Sequence, residues 1–245
     1  MRPARIHRVF FEDMFKGEAV LSGQEGHHLS QVLRVKVGQQ VRVFDGKGFE
    51  ADAQVTNVEK GRVRLELTQP EKSTTESLFH IHLAVALLKG DKMTDIIRQG
   101  TELGVYSFIP FHSKFCDVRD LKTTKLERWR RVAQEAAKQS GRSLIPEVKD
   151  CLSFAELETI VESNDLSICT DPYSPKKLVD VMQSTPKDRD KNILCVSGPE
   201  GGLSDEEVEK LVAKGAKAIH FGPRILRAET APIALSAALL LPEAL

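Results

Sequence analysis

Near residue 79 the hydrophobic period of the chain changes, and this limits the folds open to it more than any other feature. Before that point apolar and polar residues alternate as in half-buried strands, in Gln40-Val41-Arg42-Val43-Phe44, Ala53-Gln54-Val55-Thr56-Asn57-Val58 and Arg62-Val63-Arg64-Leu65-Glu66-Leu67. Asp45-Gly46-Lys47-Gly48 and Glu59-Lys60-Gly61 separate these runs and read as hairpin turns. A small β-barrel closes such short strands without long exposed edges. Pro70 to Ser77 is polar and reads as a linker, which predicts a first domain over 1–72 and a second over 73–245.

From Phe79 onward, strand-like runs (Ile81 to Leu88, Val105 to Phe111, Leu166 to Thr170, Ile193 to Val196, Ala218 to Phe221) alternate with helical ones. Asp91, Thr124 with Glu127, and Ser153 with Glu156 are helix start signals. The alternation predicts an α/β domain with a mostly parallel sheet covered on both faces.

Two of the strand-to-helix connections are rich in glycine. Ser197-Gly198-Pro199-Glu200-Gly201-Gly202-Leu203 follows one strand, and Phe221-Gly222-Pro223-Arg224-Ile225-Leu226-Arg227-Ala228-Glu229 follows another. Ser204 with Glu207 forms a capping box for the helix after the first loop, and an Ala- and Leu-rich helix from about Ala231 to Leu241 follows the second. Open α/β sheets bind ligands at this edge. Each glycine cluster alone could be a plain tight turn, but two of them beside Arg224, Arg227 and Glu229 favour a ligand site. The spacing fits neither the phosphate loop of ATPases nor the dinucleotide fingerprint, which disfavours both classes.

The 245 residues carry 35 Lys and Arg against 35 Asp and Glu, so the distribution of charge matters rather than its sum. Arg2, Arg5 and Arg8 open the chain, Arg34 and Lys36 follow an apolar segment, and residues 114–149 hold ten basic side chains, Arg142 among them, against five acidic. Lys89 and Lys92 fall where the first strand of the second domain ends, on the ligand edge. These are the candidate nucleic-acid contacts. Trp129, in step with Leu126 and Ala133, reads as a core or interface residue rather than a base-stacking platform.

Cys116, Cys151, Cys169 and Cys195 are widely spaced without a zinc pattern, so buried or semi-buried free thiols and no metal are expected. No apolar run is long enough to span a bilayer, and the basic start lacks a following hydrophobic stretch, so the expected location is cytoplasmic.

Gly198-Pro199-Glu200-Gly201-Gly202 with Gly222-Pro223-Arg224-Ile225-Leu226-Arg227-Ala228-Glu229-Thr230-Ala231 resembles the paired signature of the RsmE-type 16S ribosomal RNA uridine-N3 methyltransferases, members of the SPOUT superfamily. The likeness extends to Lys89-Gly90-Asp91-Lys92-Met93, Thr101-Glu102-Leu103-Gly104-Val105, the segment from Arg128-Trp129 to Ser140, and the N-terminal Arg8-Val9-Phe10 and His28 to Arg34. It covers essentially the whole chain. The resemblance implies a PUA-like barrel that holds rRNA, a SPOUT domain with a C-terminal trefoil knot, a homodimer, and methylation of a uridine in 16S rRNA or the 30S subunit with S-adenosylmethionine as donor. Cofactor contacts would come from Thr170, Gly198, Pro199, Gly201, Gly202, Phe221, Gly222, Ile225, Leu226 and Arg227. Arg227 is the expected stabiliser of charge on the uridine, and Glu229 or Glu200 the expected proton acceptor, if partial burial raises the carboxyl pKa. A bare RNA-binding protein of the same fold and a phosphate-using enzyme of another class are the rival readings.

Overall fold

The computed structural model describes residues 6–118, 121–182 and 190–241. The chain divides into two compact units, Met1–Glu76 with Ala137–Ile145, and Ser77–Ala136 with Pro146–Leu245.

The first unit is a six-stranded sheet. Its strands are β1 (His7–Phe10), β2 (Glu18–Leu21), β3 (Gln40–Phe44), β4 (Phe49–Glu59), β5 (Arg62–Leu67) and β6 (Glu71–Lys72), with short helical segments at Met14–Lys16, α1 (Gly23–His27) and His28–Val32. The order is β1-β3-β4-β5-β2, with β6 paired to β4. Both hairpin turns form as expected. Oδ1 of Asp45 accepts the N–H groups of Lys47 and Phe49 at 2.7 and 3.0 Å, and Gly46 and Gly61 take the positive φ that such turns require. Inward-facing Val41, Val43, Val55, Val63 and Leu65 join Met14 and Leu29 in one core.

The first unit runs on to Glu76 and takes in the later segment Ala137–Ile145. Glu71 and Lys72 extend the sheet, and Glu76 binds the segment 137–145. Its Oε2 accepts Nη2 and Nε of Arg142 at 2.7 and 3.0 Å, and its Oε1 accepts the N–H groups of Ser143 and Leu144, each at 3.1 Å. A polar stretch reads as linker only while its partners, some 66 residues away, are unknown.

The second unit contains β7 (Phe79–Ala86), α2 (Lys92–Leu103), β8 (Ser107–Phe111), most of α3 (Thr123–Ser140), β9 (Glu147–Val148), α4 (Phe154–Val161), β10 (Leu166–Thr170), α5 (Leu178–Met182), β11 (Lys191–Ser197), α6 (Asp205–Ala213), β12 (Lys217–Ile219) and α7 (Thr230–Leu240). The sheet order is β12-β10-β11-β7-β8-β9, and every pairing in it is parallel. One face carries Ala84, Ala86, Phe111, Leu194 and Val196 against Leu157 and Val161 of α4 and Leu211 of α6. On α7, which packs against α2, β7 and β11, Leu235, Leu239 and Leu240 are buried. Trp129 is fully buried, in keeping with its spacing.

Both S-x-x-E signals are realised as capping boxes, at Ser153 with Glu156 and at Ser204 with Glu207. Asp91 stands at the N-cap of α2, but its side chain does not cap; Oδ1 accepts Nη1 of Arg128 at 2.9 Å instead.

Candidate active site

Within the second unit the C-terminal ends of β7, β10, β11 and β12 lie along one edge of the sheet, and the loops that leave them enclose a cavity of about 490 Å³. The loop after β11 supplies Gly198 to Leu203. Pro199 O accepts the Gly202 N–H at 2.9 Å, and Gly202 sits at φ +74°, a conformation that favours glycine. Gly198 allows the loop to fold onto itself, since a Cβ there would lie 2.6 Å from the Leu203 nitrogen.

The loop after β12 contributes Phe221 and Arg224 to Glu229, and the end of β10 contributes Thr170. Thr170 Oγ1 donates to Ser197 Oγ at 3.4 Å, which ties the two strand ends together. The expected cofactor residues Thr170, Gly198, Pro199, Gly201, Gly202, Phe221, Ile225, Leu226 and Arg227 all line the cavity. Gly222 does not; its N–H donates to Nδ1 of His220 at 3.0 Å and shapes the turn from behind.

Lys92 also lines the cavity, placed there by the first turn of α2. Its Nζ lies 2.8 Å from Oε1 of Glu200 and 3.4 Å from Oε2 of Glu229. The sequence assigned Lys92 to RNA; the structure puts it between the two carboxylates. Burial pushes the Glu200 carboxyl up, but its hydrogen bonds to Lys92 and to backbone N–H groups outweigh burial and hold it below the ordinary value. The expectation of a raised pKa fails for Glu200 because cationic and amide donors meet it as soon as it leaves solvent. Arg227 stands at the mouth with its side chain 84% exposed, 3.9 Å from Glu229.

Asp171, Pro172 and Tyr173 complete one wall and were missed by sequence reasoning. Their position directly after Thr170, at a strand end, was the available signal.

The remaining candidate RNA contacts separate into two groups. Arg34 and Lys36 are exposed on the first unit, and Lys89 is exposed on the second, paired with Asp117 at 2.8 Å. Arg8 and Arg142 are committed inside the first unit. Arg8 binds Glu50 at 3.1 Å, Ser143 Oγ at 2.9 Å and the Arg142 carbonyl at 3.1 Å, while Arg142 is 4% exposed against Glu76. Their donors face carboxylates of their own unit, which removes them from the phosphate-contacting set. Arg2 and Arg5 lie outside the described residues.

Residues 75–240 match the family model described as RNA methyltransferase domain, and residues 21–68 match the RNA methyltransferase PUA domain. A parallel α/β unit with a loop-built cavity at its strand ends, preceded by a PUA-type β unit, defines a two-domain RNA methyltransferase. The ribosomal RNA small subunit methyltransferase E of Bacillus subtilis is 38% identical over 226 residues, covering 89% of this chain and 88% of that protein. That of Synechocystis is 34% identical, covering 90% of this chain and 72% of the other. The chain belongs to the ribosomal RNA small subunit methyltransferase E family. Among solved structures, that of the Neisseria gonorrhoeae ribosomal RNA small subunit methyltransferase E bound to S-adenosyl methionine superposes with a TM-score of 0.86 at 28% identity, covering 97% of this chain and 98% of the other. A Legionella pneumophila methyltransferase in complex with the same cofactor gives 0.84 at 29% identity, covering 97% and 98%.

Proposed function

We propose that this chain transfers a methyl group from S-adenosylmethionine to N3 of a uridine in 16S rRNA. The observation that carries the reading is the cavity at the strand ends, in which two glycine loops meet Lys92, Glu200, Arg227 and Glu229, in a chain of this family.

The cavity suits the donor. Its volume of about 490 Å³ is in the range of small-molecule sites, roughly 300–1,000 Å³. Apolar Leu203, Ile219 and Leu226 provide a surface for a flat ring, and Glu200 and Glu229 balance a cationic ligand. When bound, S-adenosylmethionine supplies an electrophilic methyl group on a cationic sulfur. The protein's own residues must hold the uridine in line with that methyl and deal with the N3 proton. Arg227, exposed and held only by its long contact to Glu229, can fork onto a uracil carbonyl, where negative charge collects as N3 loses its proton.

For RNA, exposed Arg34, Lys36 and Lys89 remain as phosphate contacts. The Lys89–Asp117 pair is a surface ion pair, which is worth little and yields readily to a phosphate. The finer architecture follows the family reading: a closed PUA barrel, a trefoil knot around the glycine loops, and a homodimer. In favour of the dimer, α7 is apolar all round, and Ile233, Ala234, Ala237 and Ala238 are only half-buried. A ribosomal substrate places the protein in the cytoplasm.

Nucleoside mass spectrometry of rRNA from cells with and without the gene tests the reaction. Loss of one 3-methyluridine from the small subunit is expected on deletion. Persistence of every 3-methyluridine refutes the assignment.

A further inference from the structure

The two carboxylates that meet Lys92 are not equivalent. Oε1 of Glu200 accepts Nζ of Lys92 at 2.8 Å and also the Lys89 N–H at 3.3 Å. Oε2 of Glu229 is buried and meets only Nζ of Lys92, in a looser ion pair at 3.4 Å that falls short of hydrogen-bond geometry. Glu229 occupies the N-cap position of α7 without capping it, so the helix does not employ its side chain either. A buried carboxylate oxygen held by nothing but one long ion pair is costly to keep, and under-satisfied groups of this kind concentrate where function uses them.

The charged groups around this trio come from several elements. They are Lys89 with its partner Asp117, Asp205 of α6, Asp171 after β10, and Arg224 and Arg227 before α7. Nδ1 of His220, also at the cavity, is occupied by the Gly222 N–H. Of these, Arg227 is at 3.9 Å from Oε1 of Glu229, the oxygen on the other side of the carboxylate from Lys92's partner atom.

Resting on the methyl-transfer reading, we propose that Lys92 is a positioning residue that ties up Glu200 and leaves Oε2 of Glu229 to accept the uridine N3 proton. The N3–H bond breaks toward Glu229, and the N3 electron pair forms the new bond to the methyl carbon. The carbon–sulfur pair stays on sulfur, which becomes a neutral thioether. The Glu229 carboxylic acid then returns its proton to solvent. Glu200, fixed by Lys92 and the Lys89 amide, holds the ammonium in place and takes no proton.

The test is single-turnover methylation of unmodified small ribosomal subunits across pH, at saturating cofactor and substrate, together with ¹³C-carboxyl NMR titration of Glu200 in the ligand-free protein. Glu229→Gln is expected to slow the step by about 10²–10⁴-fold, the usual contribution of a general base, with a deficit that shrinks as pH rises and solvent ionises N3. Glu200→Gln is expected to show a smaller loss without that recovery. Lys92→Met should move the acid limb of the rate profile up by about one pH unit and raise the Glu200 titration, since the cation between two carboxylates is gone. Lys92→Arg should restore both. A pH-independent deficit in Glu229→Gln, recovery in Glu200→Gln instead, or an unchanged Glu200 titration in Lys92→Met each overturns the assignment. Failure of the unaltered protein to methylate uridine sinks the proposed reaction itself, and so is distinct from these outcomes.

Discussion

Glu207 accepts the backbone N–H of Lys114 through Oε1 at 2.8 Å, across 93 residues of sequence. Its other oxygen accepts the Ser204 N–H at 2.8 Å and the hydroxyls of Ser204 and Ser113, each at 3.1 Å. One carboxylate thus starts α6 directly after the glycine loop and fastens the loop that follows β8. Phe115, in that second loop, packs against Gly201, where an added Cβ would lie 3.0 Å from Phe115 Cβ.

Glu207→Gln should destabilise the protein by about 2 kcal/mol, because an amide NH₂ would face N–H and O–H donors that now meet an oxygen. Urea denaturation checks the stability. Hydrogen exchange at the Lys114 amide should accelerate more than the global change accounts for.

The glycines of the first loop should respond in a graded way. Gly198→Ala forces backbone apart, since its Cβ would sit 2.6 Å from the Leu203 nitrogen, and should abolish cofactor binding. Gly202→Ala meets open space but carries φ +74°, so it should cost about 1 kcal/mol of stability and weaken binding less. Gly201→Ala falls between, because its Cβ would press on Phe115 Cβ at 3.0 Å, a contact that a shift of a few tenths of an ångström relieves. Calorimetric titration with S-adenosylmethionine and thermal unfolding of the three variants check the ranking.

Arg227→Ala should leave stability within about 0.5 kcal/mol, as expected of a side chain this exposed. The methyl-transfer step should fall by roughly two to three orders of magnitude, the scale of losing one transition-state stabiliser. Arg227→Lys should recover only part of the rate, because a point charge lacks the planar fork. Single-turnover rates at saturating ligands decide this; a defect that vanishes at saturation would assign Arg227 to substrate binding alone.

Arg8→Ala should cost about 3 kcal/mol of stability, because it strips a cation from Glu50, a residue only 8% exposed. RNA affinity measured on the folded variant should be unchanged. Burial raises the Glu50 carboxyl, but the Ser143 hydroxyl, Arg8 and Arg42 outweigh it and hold it below its ordinary value. The stabilisation is therefore present above the unfolded carboxylate value, about 4.3, and is lost as pH falls from there through the lower folded value. Replacing Glu50 by Gln should flatten the stability–pH curve across that acid window, as followed by denaturation at fixed temperature.

Local signals carried the architecture. Ser204 with Glu207 announced a helix start, Asp45-Gly46-Lys47-Gly48 a hairpin, and the two glycine loops a ligand edge, because each depends on neighbours within a few residues. Roles set by distant partners were not legible. Lys92 meets Glu200 across 108 residues, and Arg8 meets Ser143 across 135. A basic residue in sequence reads as an RNA contact until the carboxylate beside it is located: Arg8 and Arg142 are held inside the first unit by Glu50 and Glu76, and Lys92 meets Glu200, while Arg34 and Lys36 are exposed.

The segment 137–145 has a consequence for synthesis of the chain. A nascent polypeptide that has emerged only through Glu76 carries Glu50 without the Ser143 hydroxyl, and Glu76 without Arg142. The first unit can close only after Ile145 leaves the exit tunnel, when β7, α2 and β8 are already made. The two units therefore mature in an interleaved order, and a fragment ending at residue 76 would expose Glu76, whose partners Arg142, Ser143 and Leu144 had never been translated.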